Sequence, residues 1–240
     1  MVIATLAVEN YRSLRRLFVP LTALTVVTGG NGTGKSSLYR ALRLLADAAR
    51  NGAVAALARE GYPHASRLAP PPGRNGVLIA ARRPFREEGA LSGALPEPYR
   101  IVRAAFAGFV LCGVYMPNLR KKVPYWEALL AALAAEAAGP VLAIGDFNTC
   151  RAYLDEAGAI DATAHFMDGA AAIGFHDLWR QRYPDGREYS WYSTRGNGFR
   201  IDHAFLSPAL AARAGAIRYS HEERLSGVSD HSPLILELDP

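Results

Sequence analysis

Cysteine is scarce in this 240-residue chain: there are two, Cys112 inside an apolar run and Cys150 in a loop. Two such residues supply neither a disulfide framework nor a zinc site, so both read as reduced thiols. Long apolar runs are missing as well. None approaches the roughly 18 residues needed to cross a bilayer, so no transmembrane helix is expected. Residues 1–10 carry an acid and lack the basic region, apolar stretch and cleavage site of a signal peptide. The expectation is a cytoplasmic protein without a membrane partner, monomeric by default. A large charge excess of one sign is absent too. Residues 1–60 hold 8 Lys/Arg against 3 Asp/Glu, whereas residues 61–240 hold 19 of each. That balance allows contact with phosphate backbones without demanding it.

What is present divides into two styles near Glu60–Gly61, which sets the expected domains at 1–60 and 61–240, packed as one globular unit. Before the boundary, residues 2–8 and 21–28 are rich in β-branched side chains and read as strands. Residues 35–49 read as a helix, with Leu38, Ala41, Leu44 and Leu45 at helical spacing. After it come a Pro/Gly-rich stretch at 69–76 and an apolar run at 77–81. Residues 101–106 and 109–115 form a strand pair about an Ala-Gly turn. A helix opened by Pro124 and closed by Gly139 follows, then a short buried strand at 141–144. A further helix is expected at 162–173, closed by Gly174, and short strands at 188–192, 201–206, 217–219 and 234–238.

Gly29-Gly-Asn-Gly-Thr-Gly-Lys-Ser36 fits the phosphate-loop pattern, between an expected strand and an expected helix. Gly29, Gly32 and Gly34 would let backbone N–H groups turn toward phosphate oxygens, Lys35 would add a point charge, and the Ser36 hydroxyl can ligate Mg²⁺. The segment resembles the opening of ATPases of the ABC and RecF group, which implies ATP as a ligand. Such an ATPase also needs an acidic residue on a second buried strand and a signature loop. Neither Leu91-Ser-Gly-Ala94 nor Leu225-Ser-Gly-Val228 continues as a signature loop does. The segment is therefore read as a strand-to-helix turn without turnover, with a nucleotide-binding module or incomplete ATPase as the alternative.

Four motifs follow in order: Gly113-Val-Tyr-Met-Pro-Asn118, Ile144-Gly-Asp-Phe-Asn148, Tyr189-Ser-Trp-Tyr-Ser193 with Gly198-Phe-Arg-Ile-Asp-His203, and Ser229-Asp-His-Ser-Pro233. Each is weak alone; in this order they resemble the endonuclease/exonuclease/phosphatase superfamily, which includes exonuclease III and the abasic-site endonucleases. The resemblance implies an α/β, two-sheet sandwich of the exonuclease III and DNase I type, its N-terminal strands replaced by the phosphate-loop segment. It implies Mg²⁺- or Mn²⁺-dependent phosphodiester hydrolysis in nucleic acid, DNA before RNA. Asp146 would orient or deprotonate the attacking water, and Asn148 would hold it or the phosphate. Asp230, with Asp146, would be a metal ligand, and carboxylate oxygen suits hard cations. His231 would bind the scissile phosphate, kept cationic by Asp202. Tyr115 would donate its hydroxyl, while Trp191 and Asn118 would contact substrate. Taken singly, Tyr115 reads as a core aromatic, Asp202 as a strand-end ion pair and Asp146 as a turn residue. His165, His176, His203 and His221 read as structural or exposed.

The pattern breaks at its start. The superfamily begins with a strand carrying an asparagine and a second strand ending in Gln-Glu, whose Glu is the principal metal ligand. Ala7 stands where that asparagine would be, and Thr28 and Gly29 stand where the acid would be. Loss of one metal carboxylate implies a weakened site, and a catalytically inactive binding protein of the same fold is the third reading.

Overall fold

A computed structural model describes residues 5–11, 14–20, 35–156, 161–227 and 229–239. The chain divides into two units, Met1–Ala65 and Ser66–Pro240. In the first, β1 (Thr5–Tyr11) and β2 (Leu14–Pro20) pair antiparallel, Thr5 opposite Pro20 and Tyr11 opposite Leu14. α1 (Lys35–Arg59) is ten residues longer than the spacing of apolar residues foretells. It continues through a break at Gly52, whose φ of 81° and ψ of 163° are reached cheaply only without a Cβ. The break brings Arg59 Nη1 within 2.5 Å of Asp47 Oδ1. Lys35 and the exposed Ser36 open α1. Gly29, Gly32, Gly34, Thr28 and the strand expected at 21–28 lie outside the described residues.

The boundary falls within β3 (His64–Arg67), and the second unit continues through β4 (Leu78–Ala81), β5 (Arg86–Ala90), β6 (Ile101–Phe106) and β7 (Phe109–Tyr115). There follow α2 (Val123–Ala135), β8 (Val141–Asp146), α3 (His165–Ala172), β9 (His176–Asp177) and α4 (Leu178–Arg182). The chain closes with β10 (Trp191–Tyr192), β11 (Gly198–Phe199), β12 (Asp202–Leu206), α5 (Pro208–Ala211), β13 (Ala214–Tyr219), α6 (Glu222–Leu225) and β14 (Leu234–Leu238). Six strands form one mixed sheet in the order β5-β6-β7-β8-β12-β9. Among them only β7 and β8 run parallel, joined across one face by α2. That crossover explains why residues 141–143 of β8 are buried and apolar without alternation.

One face of the sheet, through Ile101, Cys112, Val114, Ala143 and Phe205, packs on Trp126, Leu129 and Leu133 of α2 and Met167 and Ala170 of α3. On the other, Leu142, Ala204 and Leu206 meet Ile217 and Tyr219 of β13, with Leu234, Leu236 and Leu238 of β14 alongside. Ile79 of β4 packs on Val102 and Ala104. The class is α/β with a mixed central sheet. The second layer consists, among the described residues, of the two-stranded pairs β3–β4 and β13–β14. The strand expected at 188–192 is reduced to Trp191–Tyr192, whose ladder partner is the two-residue β11. Both cysteines are free, and burial pushes each thiol up to about 12, as reduced, unreactive residues require.

Candidate active site

Strand register sets the centre of the site. Tyr115, last in β7, stands opposite Asp146, last in β8, and Asp146 stands opposite Asp202, first in β12. Three polar side chains therefore end three neighbouring strands at the same edge of the sheet, about 4.8 Å apart from strand to strand. Gly145 makes this edge possible. Its φ is 141°, and a Cβ there would lie 2.0 Å from the Val114 carbonyl oxygen. Beyond the edge the chain turns sharply through Asn148, which has a left-handed φ of 47°. Its backbone N–H donates to Asp146 Oδ1 at 2.8 Å, and its Nδ2 donates to Asp146 Oδ2 at 3.0 Å and to the Met116 carbonyl at 2.7 Å.

His231 enters from the loop before β14. Its Nδ1 lies 2.8 Å from Asp202 Oδ2, its backbone N–H donates to Ser229 Oγ, and it bridges to the backbone of Trp191. These groups, with Asn75, Gly76, Asn118, Ile201 and Asp230, line one cleft of about 540 Å³. Asp146, Asn148, Asp202, Asp230, His231, Tyr115, Asn118 and Trp191 are thus gathered in one place. Trp191 is half-buried, its ring 5.7 Å from that of Phe199, so one part packs and another faces the cleft. Asp202, the first residue of β12, is paired with His231 across the cleft edge.

The charges act on one another. Burial, and then the neighbouring charge of Asp202, push the Asp146 carboxyl up to about 7, against the opposing pull of the Asn148 amide, His231 and Lys122. For His231, burial disfavours the charged ring. The hydrogen bond and charge of Asp202, aided by Asp146 and Asp230, outweigh it and raise the imidazole above its ordinary value. Arg100 lies over the Tyr115 ring, its guanidinium carbon 4.8 Å from the centroid.

Two groups near the site escape sequence reasoning. Lys122 is buried and donates to the Asn148 carbonyl and to Asp161 Oδ2 at 2.8 Å. Arg200 is fully buried. Its Nε and Nη2 donate to Asp155 Oδ1 at 2.9 and 2.6 Å, and Nη2 also donates to Asp177 Oδ2 at 2.6 Å. His203 completes this network, its Nδ1 3.0 Å from Asp177 Oδ2 and its Nε2 donating to the Thr149 carbonyl at 2.8 Å. His203 is therefore structural. A basic residue beside a catalytic motif is the only signal in the sequence, and it does not separate a buried lysine from a solvated one.

The donor set for a cation is carboxylate and amide oxygen, which suits a hard ion. Among the described residues no three His, Cys, Asp or Glu side chains stand close enough to share one ion.

The Endonuclease/Exonuclease/phosphatase family model matches residues 31–231, which takes in residues 31–60 of the phosphate-loop segment. No curated protein sequence matches the chain significantly. Among solved structures, an AP endonuclease from Archaeoglobus fulgidus is 26% identical, with a TM-score of 0.71 over 80% of this chain and 84% of its own. The 3′-5′ exonuclease NExo from Neisseria meningitidis is 26% identical, with a TM-score of 0.71 over 87% of this chain and 96% of its own. The 3′ phosphatase NExo from Neisseria bound to a product DNA hairpin is 26% identical, with a TM-score of 0.69 over 86% and 96%. None of these matches supports the nucleotide-binding reading of residues 29–36.

Proposed function

Because the chain belongs to the endonuclease/exonuclease/phosphatase family, we propose that it is a hydrolase that cleaves phosphate esters of DNA, with the cleft between Asp146 and His231 as its active site. The observation that carries this reading is the Asp202–His231 pair, bonded at 2.8 Å and facing the half-buried carboxylate of Asp146 in one cleft. Hydrolysis needs an aligned water, positive charge on the non-bridging oxygens and help for the leaving oxygen. Asp146, at the centre of the cleft and fixed in orientation by Asn148, suits a group that orients the attacking water. Asn148 occupies one lone pair on each Asp146 oxygen, so the carboxylate has a single preferred orientation. His231, held cationic by Asp202, offers Nε2–H to a phosphate oxygen, and the Tyr115 hydroxyl lines the same wall. Trp191 and Asn118 flank the space beside the phosphate and act as substrate contacts.

Asp146 and Asp230 would hold Mg²⁺ or Mn²⁺, which when bound supplies Lewis acidity to the phosphate oxygens. The DNA substrate is favoured by the neighbours, one an AP endonuclease, one a 3′-5′ exonuclease and one a 3′ phosphatase holding product DNA. The test is hydrolysis of abasic-site duplex, blunt duplex and 3′-phosphate DNA with Mg²⁺, with Mn²⁺ and with chelator. Metal-dependent cleavage that is lost in His231→Gln is the expected result. Absence of cleavage of all three substrates with either metal overturns the proposal.

A further inference from the structure

We propose that Lys122 is a positioning residue: its buried ammonium clamps the Asn148 peptide and so sets how the Asn148 carboxamide and the Asp146 carboxylate face the cleft. The inference deepens the hydrolytic reading of that cleft and rests on it. Lys122 ends a short 3₁₀ turn, Leu119–Lys122, that begins one residue after the cleft residue Asn118. It is only 2% exposed. A lysine is buried that deeply only when its charge is paired and its protons are bonded.

Both conditions are met by the loops around the site. One partner is Asp161 Oδ2 at 2.8 Å, and Asp161 is itself immobilised: its other oxygen accepts the Thr163 N–H at 2.8 Å and the Thr163 hydroxyl at 2.5 Å. The other partner is the main-chain carbonyl of Asn148. Asp161 neutralises the charge, and the second contact takes another of the three ammonium protons to the catalytic turn. The contact falls on the one non-glycine peptide of the catalytic turn with a left-handed φ, a conformation that surrounding bonds must hold in place. Turning that peptide rotates the carboxamide whose Nδ2 holds Asp146 Oδ2 and the Met116 carbonyl. It also moves the Met116–Asn148 bond that ties the ends of β7 and β8 together. Lys122 thus acts on the reacting groups through Asn148 and makes no bond of its own to Asp146.

Three variants test this: Lys122→Met, Lys122→Arg and the double variant Lys122→Met with Asp161→Asn. Steady-state kinetics, thermal melting and the NMR signals of the Asn148 side-chain amide are measured, the last in metal-free protein without substrate. In Lys122→Met the Asn148 signals shift and kcat falls by about 10- to 100-fold, the size of effect that a misplacement near 1 Å produces, while KM stays within about threefold. Lys122→Arg, which keeps the charge, retains more kcat than Lys122→Met. The double variant removes the orphaned carboxylate, so it recovers melting temperature but not kcat. Unmoved Asn148 signals in Lys122→Met overturn the proposal. Recovery of full kcat by the double variant overturns it as well, since a merely structural lysine behaves so. Should the parent protein cleave no phosphate ester, the hydrolytic reading fails, and the Asn148 signals alone still decide the role of Lys122.

Discussion

His231 Nδ1 and Asp202 Oδ2 lie 2.8 Å apart, joining the loop before β14 to the first residue of β12. The bond directs Nε2 away from Asp202 and favours the imidazolium. Because the folded value of His231 is raised, the stability this pair contributes is fully present below the unfolded value of about 6.5 and is lost as pH rises through the higher folded value. Asp202→Asn keeps the shape and removes the charge. The alkaline limb of the pH–rate profile should then move to lower pH, with kcat down by about 10- to 100-fold. An unshifted alkaline limb would show that the ring gains nothing from Asp202.

Asp146 is raised as well, but there the charged form is the one the fold disfavours. Its folded value, about 7, lies above the ordinary carboxyl value of 3.8, so ionising it in the folded protein costs stability. That cost is absent below pH 3.8 and grows as pH rises to about 7. Without metal, Asp146→Asn should therefore be more stable than the parent at pH 8 by something on the order of 1 kcal/mol. The difference should shrink toward pH 4. Its kcat should fall by about 100-fold or more. Melting curves in chelator at the two pH values check the first part, and equal melting temperatures at pH 8 would refute it.

Arg200 holds the far side of the site. Burial raises the carboxyls of Asp155 and Asp177, but the Arg200 charge, with His203, outweighs it and holds both below the usual range. The stability they contribute is present above the unfolded value near 3.9 and is lost as pH falls through the folded values. Arg200→Met removes the cation shared by two buried carboxylates, leaving Asp155 with Arg180 and Asp177 with His203, and should cost about 3–5 kcal/mol at neutral pH. Urea titrations should show the gap to the parent narrowing toward pH 3, as the two carboxylates protonate. A constant gap would mean that the loss is one of packing and not of charge.

Metal binding should be weak. No glutamate follows a second strand in the sequence, and three convergent ligands are lacking among the described residues. Calorimetric titration should find Mn²⁺ bound more tightly than Mg²⁺, which insists on a near-ideal octahedron. Tight Mg²⁺ binding in the parent that disappears in Glu9→Ala would show that the site is completed from elsewhere.

Much of this architecture is legible in the sequence, for local reasons. Residues 101–106 and 109–115 announce a hairpin by two apolar runs on either side of Ala107-Gly108, and 141–144 announces a doubly buried strand by its unbroken apolar run. The cleft residues are legible because they lie at strand ends or in short motifs, where order along the chain reports order across the sheet. The Arg200 network is not, since its partners come from residues 155, 177 and 203, and no periodicity links them. Lys122 is hidden for a similar reason: Arg120-Lys121-Lys122 reads as an ordinary charged turn, and only the fold shows which of the three points inward. At Gly52 the opposite error arises. Asn51-Gly52 carries the signal of a helix end, but the apolar residues beyond it resume the helix after a kink.

Tyr115, Asp146 and Asp202 are locked to one another by hydrogen-bond ladders, whereas His231, Trp191 and Asn118 reach the cleft from loops or short connections. A one-residue slip in β8 would send Asp146 to the opposite face of the sheet, so the ladder leaves no graded way of altering that part of the site. Loops accept insertions and exchanges at little cost to the scaffold. The two halves of the cleft are therefore free to evolve at different rates. The reacting edge is tied to the architecture of the sheet, and substrate preference can be rewritten in the loops while the chemistry stays where it is.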